Sequence, residues 1–394
     1  MRPINRVLVF VLDGVGAGEA PDAAAYGDKG SNSLSNTAKS VGGLNLPNLQ
    51  ALGFGNITPM KGVAPLRPAE GCFGKLTPKS AGKDSITGHW ELMGVYLEKP
   101  FPTYPNGFPP EVVEMFRQAT GLELLGNKPA SGIDIIQEYG MEHIKTGKPI
   151  VYTSADSVFQ IAAHESIIPI EKLYEICKKS RDFLRDEHAV GRVIARPFTG
   201  DSPETFARTS RRKDYPLKPI TPTVMDKMIK SGLEVYATGK IDDLFAHQGI
   251  TVSNHTTNNQ DSLDAALEFI QLSFRGLLMV NLIEFDMIYG HRNDVKGYAQ
   301  ALENFDLYLP EIQRHMRADD IAMIVADHGV DPTMPGSDHS REYSPLLVFG
   351  EPIKSDIDLG VRNSYADAGT TIAEIFSLQA PPIGTSFLKE IALK

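Results

Sequence analysis

The protein has 394 residues, of which 42% are hydrophobic and 22% are charged, and its formal net charge is -10 at pH 7. This composition is typical of a folded globular protein with a sizeable core, and the length predicts two domains or one large core with an insertion. The negative charge argues against a nucleic acid partner, since proteins that neutralise phosphates present a basic face.

Short runs rich in valine, isoleucine and leucine predict strands that are buried on both faces. These runs span residues 6–12, 149–153, 191–198, 233–239, 277–285, 321–326 and 345–349. Helical patterns lie between several of them, for example at 262–274 and 297–316. Strands and helices that alternate in this way predict an α/β fold with a mostly parallel sheet covered by helices.

This alternation is interrupted in the middle of the chain. From about residue 100 to about residue 218, proline-rich and polar segments break up the regular runs. We interpret this stretch as an inserted second domain. The predicted organisation is a core formed by residues 1–99 and 219–394, with the second domain inserted at 100–218.

Two features of the sequence bear on the cellular compartment. The first apolar run ends at Asp13, so it is too short for a signal peptide or a membrane-spanning helix. The two cysteines, Cys72 and Cys177, do not form a CxxC pair, and we expect them to be buried free thiols. The sequence therefore predicts a cytoplasmic protein that does not bind a membrane.

Acidic residues stand where three predicted strands stop. Asp13 ends the run VFVLD, Asp286 ends NLIEFD, and Asp327 follows IVA. In open α/β sheets, ligands bind outside the carboxyl ends of the strands, so these side chains are expected to converge. One histidine follows Asp327 directly, and two more lie in the nearby loops. The six candidate ligands are Asp13, Asp286, His291, Asp327, His328 and His339.

Three carboxylates and three imidazoles suit two divalent cations. Oxygen and nitrogen ligands without a thiolate favour Mn²⁺, Mg²⁺ or Zn²⁺ over softer metals. For any single residue, the alternative is that the aspartate caps a helix or turn, or that the histidine is a polar residue with ordinary hydrogen bonds. The joint occurrence of all six favours the metal site.

The segment GKDSITGHWE offers two hydroxyls as a nucleophile. Two metal ions beside a hydroxyl form a site for phosphoryl transfer, and the start of a helix presents free N–H groups to a phosphate. On spacing alone, Ser85 and Thr87 are both plausible. The alternative is a simple helix start, in which Asp84 or Ser85 is the N-cap and Thr87 lies on the first turn. We expect His89 and Trp90 to support the segment by packing and hydrogen bonding.

Basic residues gather near the end of the inserted stretch. Nine lysines and arginines stand there against six acids, although a solvated basic face is the ordinary explanation for most of them. Arg192 and Arg196 are better candidates because they lie in a predicted strand, and an arginine fork binds phosphate with two hydrogen bonds. Arg208 and Lys240 are secondary candidates. Asp156, just past another predicted strand, is placed to accept a hydrogen bond from a sugar hydroxyl.

Several longer motifs are spread over essentially the whole chain. They are DGVGAGEAPDAAAYGDKGSNSL, GKDSITGHWELMG, GNKPASG, YTSADSVFQIAAHE, GRVIARPF, FDMIYGHRND and ADHGVDPTMPGSDHSREYSPLL. Together these motifs resemble those of the bacterial phosphopentomutases, which are members of the alkaline phosphatase superfamily. ADHG by itself indicates only the superfamily, whereas GKDSITGHWE and YTSADSVFQIAAHE are particular to the mutases.

The resemblance implies an alkaline phosphatase-like α/β core with an inserted α/β cap domain. It implies an enzyme that interconverts α-D-ribose 1-phosphate and D-ribose 5-phosphate, and the 2-deoxyribose equivalents, in nucleoside metabolism. It also implies two Mn²⁺ ions per chain and a sugar bisphosphate as activator. The expected partners are small-molecule pentose phosphates, without a nucleic acid, a membrane or an obligatory protein partner.

The resemblance assigns roles to residues of this sequence. One ion would be bound by Asp13, Asp327 and His328, and the other by Asp286, His291 and His339. The phosphorylated residue falls on Ser85, where the family motif usually has threonine. The positions near the sugar and its distal phosphate are Asp156, Arg192, Arg208 and Lys240.

Other functions remain as alternatives from the sequence. The nearest enzymatic alternatives are a metal-dependent phosphatase and a phosphoglycerate mutase of the same superfamily. An alternative of a different class is a non-catalytic binding protein that metal ions stabilise. The full set of six ligands with a hydroxyl beside them disfavours this last alternative.

Overall fold

A computed structural model describes residues 2–154 and 156–393 of the chain. The chain divides into two compact units. The first unit consists of Met1–Lys99 and Pro219–Lys394, and the second unit consists of Pro100–Lys218. The proline-rich stretch of the sequence therefore corresponds to a unit with hydrophobic clusters of its own.

Strands occur in both units and are numbered in chain order. They are β1 (Arg6–Leu12), β2 (Cys72–Leu76), β3 (Leu125–Pro129), β4 (Ile150–Thr153), β5 (Val158–His164), β6 (Arg192–Thr199), β7 (Ala207–Arg208), β8 (Lys213–Pro216), β9 (Glu234–Thr238), β10 (Val252–Asn254), β11 (Gly276–Leu282), β12 (Asp320–Val325), β13 (Ser344–Phe349) and β14 (Asp358–Arg362).

The α-helices are numbered in the same way. They are α1 (Ser33–Ser40), α2 (Pro47–Ala51), α3 (Ser85–Leu92), α4 (Pro110–Thr120), α5 (Gly132–Thr146), α6 (Ile170–Phe183), α7 (Val224–Lys230), α8 (Ile241–Leu244), α9 (Asn259–Gln271), α10 (Val295–His315), α11 (Ala366–Ile375) and α12 (Leu388–Ile391).

The first unit is built on one large sheet. Its strand order is β10-β9-β11-β1-β12-β13-β2-β14, and every pairing is parallel except the two that β13 makes. Every residue of β1, β11 and β12 is buried. Continuous apolar runs predict such strands, because helices exclude water from both faces of a parallel sheet. The prediction of a mostly parallel, helix-covered sheet is confirmed.

Three neighbouring strands bring candidate ligands to one edge of this sheet. β1 pairs in parallel with β11 on one side and with β12 on the other. The segments that follow these strands therefore leave the sheet at the same edge. Asp13 follows β1 directly, and Asp327 lies two residues after β12.

The predicted end of β11 is wrong. The strand ends at Leu282 rather than at residue 285, and Asp286 lies in a short π-helical turn, Phe285–Tyr289. Ile283 is buried like the strand residues before it, so the apolar pattern continues through the change of backbone conformation. A short apolar run does not distinguish a buried strand from a buried helical turn.

The second unit is also an α/β structure. Its sheet has the strand order β3-β4-β5-β6-β7, and β8 pairs with β6. One hydrophobic cluster joins α4 and α6 to one face of this sheet, with Phe116 and Ile176 among its buried residues. A second cluster joins α5 to the other face, with Ile135 and Tyr152 among its buried residues. The sheet therefore lies between two layers of helix.

Both cysteines are buried and free, which confirms the prediction. Burial raises the pKa of the Cys72 thiol to about 11 and raises the pKa of the Cys177 thiol further. Both thiols are therefore protonated near neutral pH and act as small apolar side chains. Among the helices of the described residues, none has the length and apolar character needed to cross a bilayer.

Candidate metal centre and nucleophile

Three of the predicted ligands come together beyond β1 and β12. Asp13, Asp327 and His328 each offer one donor atom, and these atoms lie within 4.8 Å of one another. Nε2 of His328 lies 3.3 Å from Oδ1 of Asp13 and 3.3 Å from Oδ2 of Asp327. All three residues are almost fully buried. We call these three residues the first ligand group.

The other three predicted ligands, Asp286, His291 and His339, form a second ligand group. Oδ1 of Asp286 lies 3.1 Å from Nε2 of His339 and 3.3 Å from Nε2 of His291. Nδ1 of His291 donates to the carbonyl oxygen of Ser337 at 2.5 Å, which leaves Nε2 with a lone pair for a cation. The ring centroids of His339 and His328 are 4.2 Å apart, so the two ligand groups adjoin.

The donor atoms of both groups fit divalent cations. Oδ1 of Asp286 is buried and has no hydrogen-bond partner among the described residues. The buried Oδ2 of Asp327 lies beside two imidazoles, 3.0 Å from Nδ1 of His89 and 3.3 Å from Nε2 of His328. Such atoms are costly to bury unless a cation binds them. Nδ1 of His328 donates to the carbonyl oxygen of Gly329 at 2.9 Å, so its Nε2 is directed to the carboxylates. The oxygen and nitrogen donors suit Mn²⁺, Mg²⁺ or Zn²⁺.

The first ligand group concentrates negative charge in a buried place. Burial disfavours the charged form of His328, but the neighbouring carboxylates, above all that of Asp327, outweigh burial and raise its pKa well above the usual value. Burial also opposes ionisation of Asp327, but the imidazoles of His328 and His89 outweigh it and lower the pKa of this carboxyl. An ionised carboxylate among imidazoles attracts a cation.

Ser85 is the first residue of α3, and its hydroxyl faces the first ligand group. Oγ of Ser85 lies 3.1 Å from Nε2 of His328 and 3.4 Å from Oδ1 of Asp13. Asp84 is the N-cap, and its carboxylate accepts hydrogen bonds from the backbone N–H of Thr87 at 3.0 Å and from the Thr87 hydroxyl at 2.6 Å. The helix is therefore capped by Asp84, and the hydroxyl beside the ligands is that of Ser85.

Helix α3 lies very close to the first ligand group. A Cβ atom at Gly88 would lie 1.9 Å from the carbonyl oxygen of Asp327, so this position has no room for a side chain. Nδ1 of His89 lies 2.8 Å from the carbonyl oxygen of Ser85. The indole N–H of Trp90 donates to the carbonyl oxygen of Leu244 at 2.9 Å. The His89 contact lies within α3, whereas the Gly88 and Trp90 contacts pack the helix against the Asp327 segment and against α8.

Two residues that the sequence analysis did not single out also hold the site. Nδ2 of Asn281 donates to Oδ2 of Asp13 at 2.7 Å. The buried guanidinium of Arg341 donates to three carbonyl oxygens of the loop before α3, those of Pro78, Ser80 and Gly82. A sequence signal existed for the first of these, because Asn281 is a lone polar residue inside an apolar strand.

The predicted substrate-binding residues are divided between the two units. In the first unit, Lys240 follows β9, and its Nζ lies 3.2 Å from Sδ of Met287, the residue after Asp286. In the second unit, Asp156 is exposed between β4 and β5. Arg192 begins β6, and its Nη1 lies 3.6 Å from a carboxylate oxygen of Asp214, while Arg208 is exposed in β7.

Arg208 lies beside a buried hydroxyl that has no partner. A Cβ atom at Gly132, the first residue of α5, would lie 2.9 Å from the Tyr152 hydroxyl and 3.2 Å from Nη1 of Arg208. Tyr152 is 1% exposed, and its hydroxyl makes no hydrogen bond within the described residues. Burial, and then the like charge of Arg212, lower the pKa of Arg196 in the same cluster. Clustered guanidiniums at a helix N-terminus favour an anion.

Comparison with known proteins identifies the family of this chain. Residues 5–380 match the family model described as the Metalloenzyme superfamily. The chain is 61% identical over 388 residues to a phosphopentomutase of Herpetosiphon aurantiacus, covering 98% of this chain and 99% of that protein. It is 56% identical over 391 residues to a phosphopentomutase of Caldanaerobacter subterraneus, covering 99% of each. The chain belongs to the phosphopentomutase family.

Membership of the phosphopentomutase family makes the protein an isomerase within a superfamily of metalloenzymes. This confirms the predicted enzyme class and the prediction that the chain binds divalent metal. The alternatives of a phosphatase, a phosphoglycerate mutase and a non-catalytic binding protein are set aside.

The fold also matches that of a solved structure. A phosphoglycerate mutase of Leishmania mexicana aligns with a TM-score of 0.52 over 100% of this chain and 98% of that chain, at 13% sequence identity. At such low identity the match shows the fold alone. The predicted alkaline phosphatase-like α/β fold is confirmed.

Proposed function

We propose that the protein interconverts α-D-ribose 1-phosphate and D-ribose 5-phosphate, and their 2-deoxy equivalents, through a phosphorylated Ser85 and a sugar bisphosphate. The observation that carries this proposal is the position of the Ser85 hydroxyl at the start of α3, within 3.4 Å of both Asp13 and His328. In a phosphopentomutase, a hydroxyl so placed is the natural acceptor and donor of the phosphoryl group.

Two Mn²⁺ ions are the proposed cofactors. The first would be bound by Asp13, Asp327 and His328, and the second by Asp286, His291 and His339. When bound, the ions would polarise the phosphoryl group and stabilise the negative charge of the entering and leaving oxygens. The buried oxygen of Asp286 that lacks a hydrogen-bond partner, and the buried oxygen of Asp327 beside two imidazoles, support this assignment.

The chain's own groups account for the two transfers. The free hydroxyl of the sugar phosphate attacks the phosphorus on Ser85, the bond from phosphorus to Oγ breaks, and the hydroxyl proton ends on Oγ. The resulting sugar bisphosphate then returns its other phosphate to Oγ by the reverse exchange, which gives the isomer. The backbone N–H groups of Ser85 and Ile86 lie in the first turn of α3, where no helical carbonyl accepts them, and would bind the transferred phosphoryl oxygens. A sugar bisphosphate is the proposed activator, since it supplies the first phosphoserine.

The remaining contacts to substrate are proposed for Asp156, Arg192, Arg208 and Lys240. The anion-favouring surroundings of Arg208 support its role with a phosphate. Arg208→Ala should therefore raise the KM for ribose 5-phosphate by more than it lowers kcat. Tyr152→Phe removes only the unpaired hydroxyl and should act in the same direction, more weakly. Unchanged KM values in both variants would contradict this part of the proposal.

The decisive experiment locates the phosphoryl group. The purified protein, loaded with Mn²⁺ and treated with ribose 1,5-bisphosphate, should carry phosphoserine at residue 85, found by peptide mass spectrometry, and should interconvert the two ribose phosphates. Ser85→Ala should lose both properties, whereas Thr87→Ser should keep both, because a hydroxyl remains for Asp84. A phosphoryl group on residue 87, or rapid release of inorganic phosphate without isomerisation, would overturn the proposal.

A further inference from the structure

Two buried polar side chains join the first ligand group to the helix of Ser85. Asn281 and His89 are both 0% exposed. Nδ2 of Asn281 donates to Oδ2 of Asp13 at 2.7 Å and lies 3.4 Å from Nε2 of His89. Nδ1 of His89 in turn lies 2.8 Å from the carbonyl oxygen of Ser85. A continuous path of polar contacts therefore runs from a metal ligand to the backbone of the nucleophile.

The partners of these two side chains define their orientation. The backbone N–H of Lys240 approaches Oδ1 of Asn281 at 3.4 Å, so Nδ2 is the amide atom that faces Asp13. Because Nδ2 can only donate, Nε2 of His89 accepts and Nδ1 carries the proton. That proton is directed to the carbonyl oxygen of Ser85.

The same arrangement brings His89 close to a second carboxylate of the first ligand group. Oδ2 of Asp327 lies 3.0 Å from Nδ1 of His89, the nitrogen that also faces the carbonyl oxygen of Ser85. On Asp13, Asn281 occupies Oδ2, so Oδ1 is the oxygen that faces His328 and the Ser85 hydroxyl.

We propose that Asn281 and His89 are positioning residues, which set the orientation of the Asp13 carboxylate and tie it to the Ser85 helix. Asn281 suits this role because its strand, β11, pairs directly with β1, opposite Val11. An asparagine supplies a donor to Asp13 without adding negative charge, and His89, which belongs to α3 itself, reaches the strand with its Nε2. The inference rests on the proposed role of the first ligand group in binding a cation beside Ser85.

The expected effect is a selective loss of one cation. Side chains that orient a metal ligand typically change metal affinity by roughly 10- to 100-fold when they are replaced. Asn281→Leu has a similar volume but no donor, and should weaken one Mn²⁺ by roughly this factor. The second ligand group does not contact Asn281, so the other Mn²⁺ should be retained.

Two polar replacements at His89 distinguish the contribution of its Nε2 from that of its Nδ1. A glutamine places an oxygen near the position of Nε2 and keeps the contact with Asn281, whereas an asparagine reaches only the position of Nδ1. His89→Asn should therefore weaken the same Mn²⁺, by about tenfold, and His89→Gln should retain most of its affinity. Both replacements are polar, so the comparison does not depend on a hydrophobic variant that fails to fold.

His143 supplies the matched control in the second unit. It is also 0% exposed, its Nδ1 lies 2.7 Å from the carbonyl oxygen of Lys148, and its Nε2 accepts from the backbone N–H of His164 at 2.9 Å. His143→Asn should lower the melting temperature but leave both Mn²⁺ ions bound.

The experiment is equilibrium dialysis of each full-length variant against Mn²⁺ and graded chelator, with metal counted by mass spectrometry. The proposal is overturned if Asn281→Leu and His89→Asn hold both ions as the wild type does, or if His143→Asn weakens metal as much as they do. The dialysis contains no substrate, so its result does not depend on mutase activity. Wild-type protein without mutase activity would refute the proposed function but would not refute the positioning role of Asn281 and His89.

Discussion

An alanine at position 88 should impair the enzyme even though it favours the helix. In an unhindered helix, replacing glycine with alanine stabilises the fold by about 1 kcal/mol. At Gly88, however, the new methyl group would lie 1.9 Å from the carbonyl oxygen of Asp327 and 2.5 Å from its carbonyl carbon. Ordinary contact begins at 3.4 Å, so α3 and the Asp327 segment would have to separate by about 1.5 Å.

This separation would displace two parts of the proposed site, the Ser85 hydroxyl and the Asp327 carboxylate, relative to each other. Ser85 lies one turn before Gly88 in the same helix, and Asp327, a proposed metal ligand, lies on the other side of the contact. Overpacking of this kind costs about 1–3 kcal/mol, which exceeds the helical gain. A misplacement of about 1 Å at a reacting centre costs about 100-fold in rate. We therefore expect kcat to fall by about 100-fold, with weaker binding of one Mn²⁺.

The assay compares Gly88→Ala with Gly140→Ala, a helical glycine of α5 whose added methyl would lie 2.4 Å from the ring of Phe206. Thermal unfolding, Mn²⁺ content and the rate of serine phosphorylation are measured for each. Both variants should unfold at lower temperature, but Gly88→Ala alone should lose Mn²⁺ affinity and phosphorylation. Wild-type phosphorylation and metal binding in Gly88→Ala would refute the idea that this close contact sets the position of the nucleophile.

Three further predictions concern buried charges. In the metal-free protein, carboxylates led by that of Asp327 raise the pKa of His328 against the effect of burial, so protons compete with the cation. When the pH is lowered from about 8 to about 6, the Mn²⁺ concentration that half-saturates the protein in calorimetry should increase by up to about tenfold per pH unit. A half-saturating concentration that does not change with pH would contradict this. Burial raises the pKa of Glu342 from 4.5 to about 7, so between these values the folded state holds a proton that the unfolded state has lost, and stability should fall with rising pH by about 3 kcal/mol at most. Urea titrations should show that Glu342→Gln removes this slope, and an unchanged slope would assign it to another group. Arg6→Leu leaves the buried carboxylate of Asp320 without its ion pair and should lower the free energy of unfolding by about 3–5 kcal/mol, whereas a loss below about 1 kcal/mol would contradict this estimate.

The centre of the fold could be predicted because its strands are buried on both faces. β1 was predicted over its full length, since each of its residues is apolar except the first. β2, with the sequence CFGKL, was missed because a glycine and a lysine interrupt its pattern. β5 was missed as a strand because Gln160 and His164 interrupt its run, although both are buried in the second unit. Whether such segments form strands depends on pairing with strands that are distant in the chain, and the local sequence pattern gives no information on this pairing.

The convergence of the candidate ligands was predictable for a topological reason that does not extend to the residues around them. Aspartates that follow adjacent parallel strands must converge, so Asp13 and Asp327 could be placed together from the sequence. Asn281 and Gly88 contact residues far away in the chain. The apolar run around Asn281 marks it as an unusual polar residue but does not indicate which residue it contacts, and Gly88 has no such mark. Their proposed roles follow only from the packing of α3 against the edge of the sheet.

The choice between Ser85 and Thr87 depends on hydrogen-bond capacity. A helix start needs one side chain to accept from the N–H groups of the first turn, and Asp84 does this while also accepting the Thr87 hydroxyl. Thr87 is 2% exposed, so its hydroxyl could leave Asp84 only at the cost of an unpaired buried group. Ser85 carries no part of the cap, and its hydroxyl is free to face His328 and Asp13. A serine lacks the methyl group that restrains a threonine side chain, so the close approach of these two ligands provides the restraint on its rotamer. The helix start, which from the sequence alone is the alternative to a nucleophile, is therefore the structure that presents the proposed nucleophile.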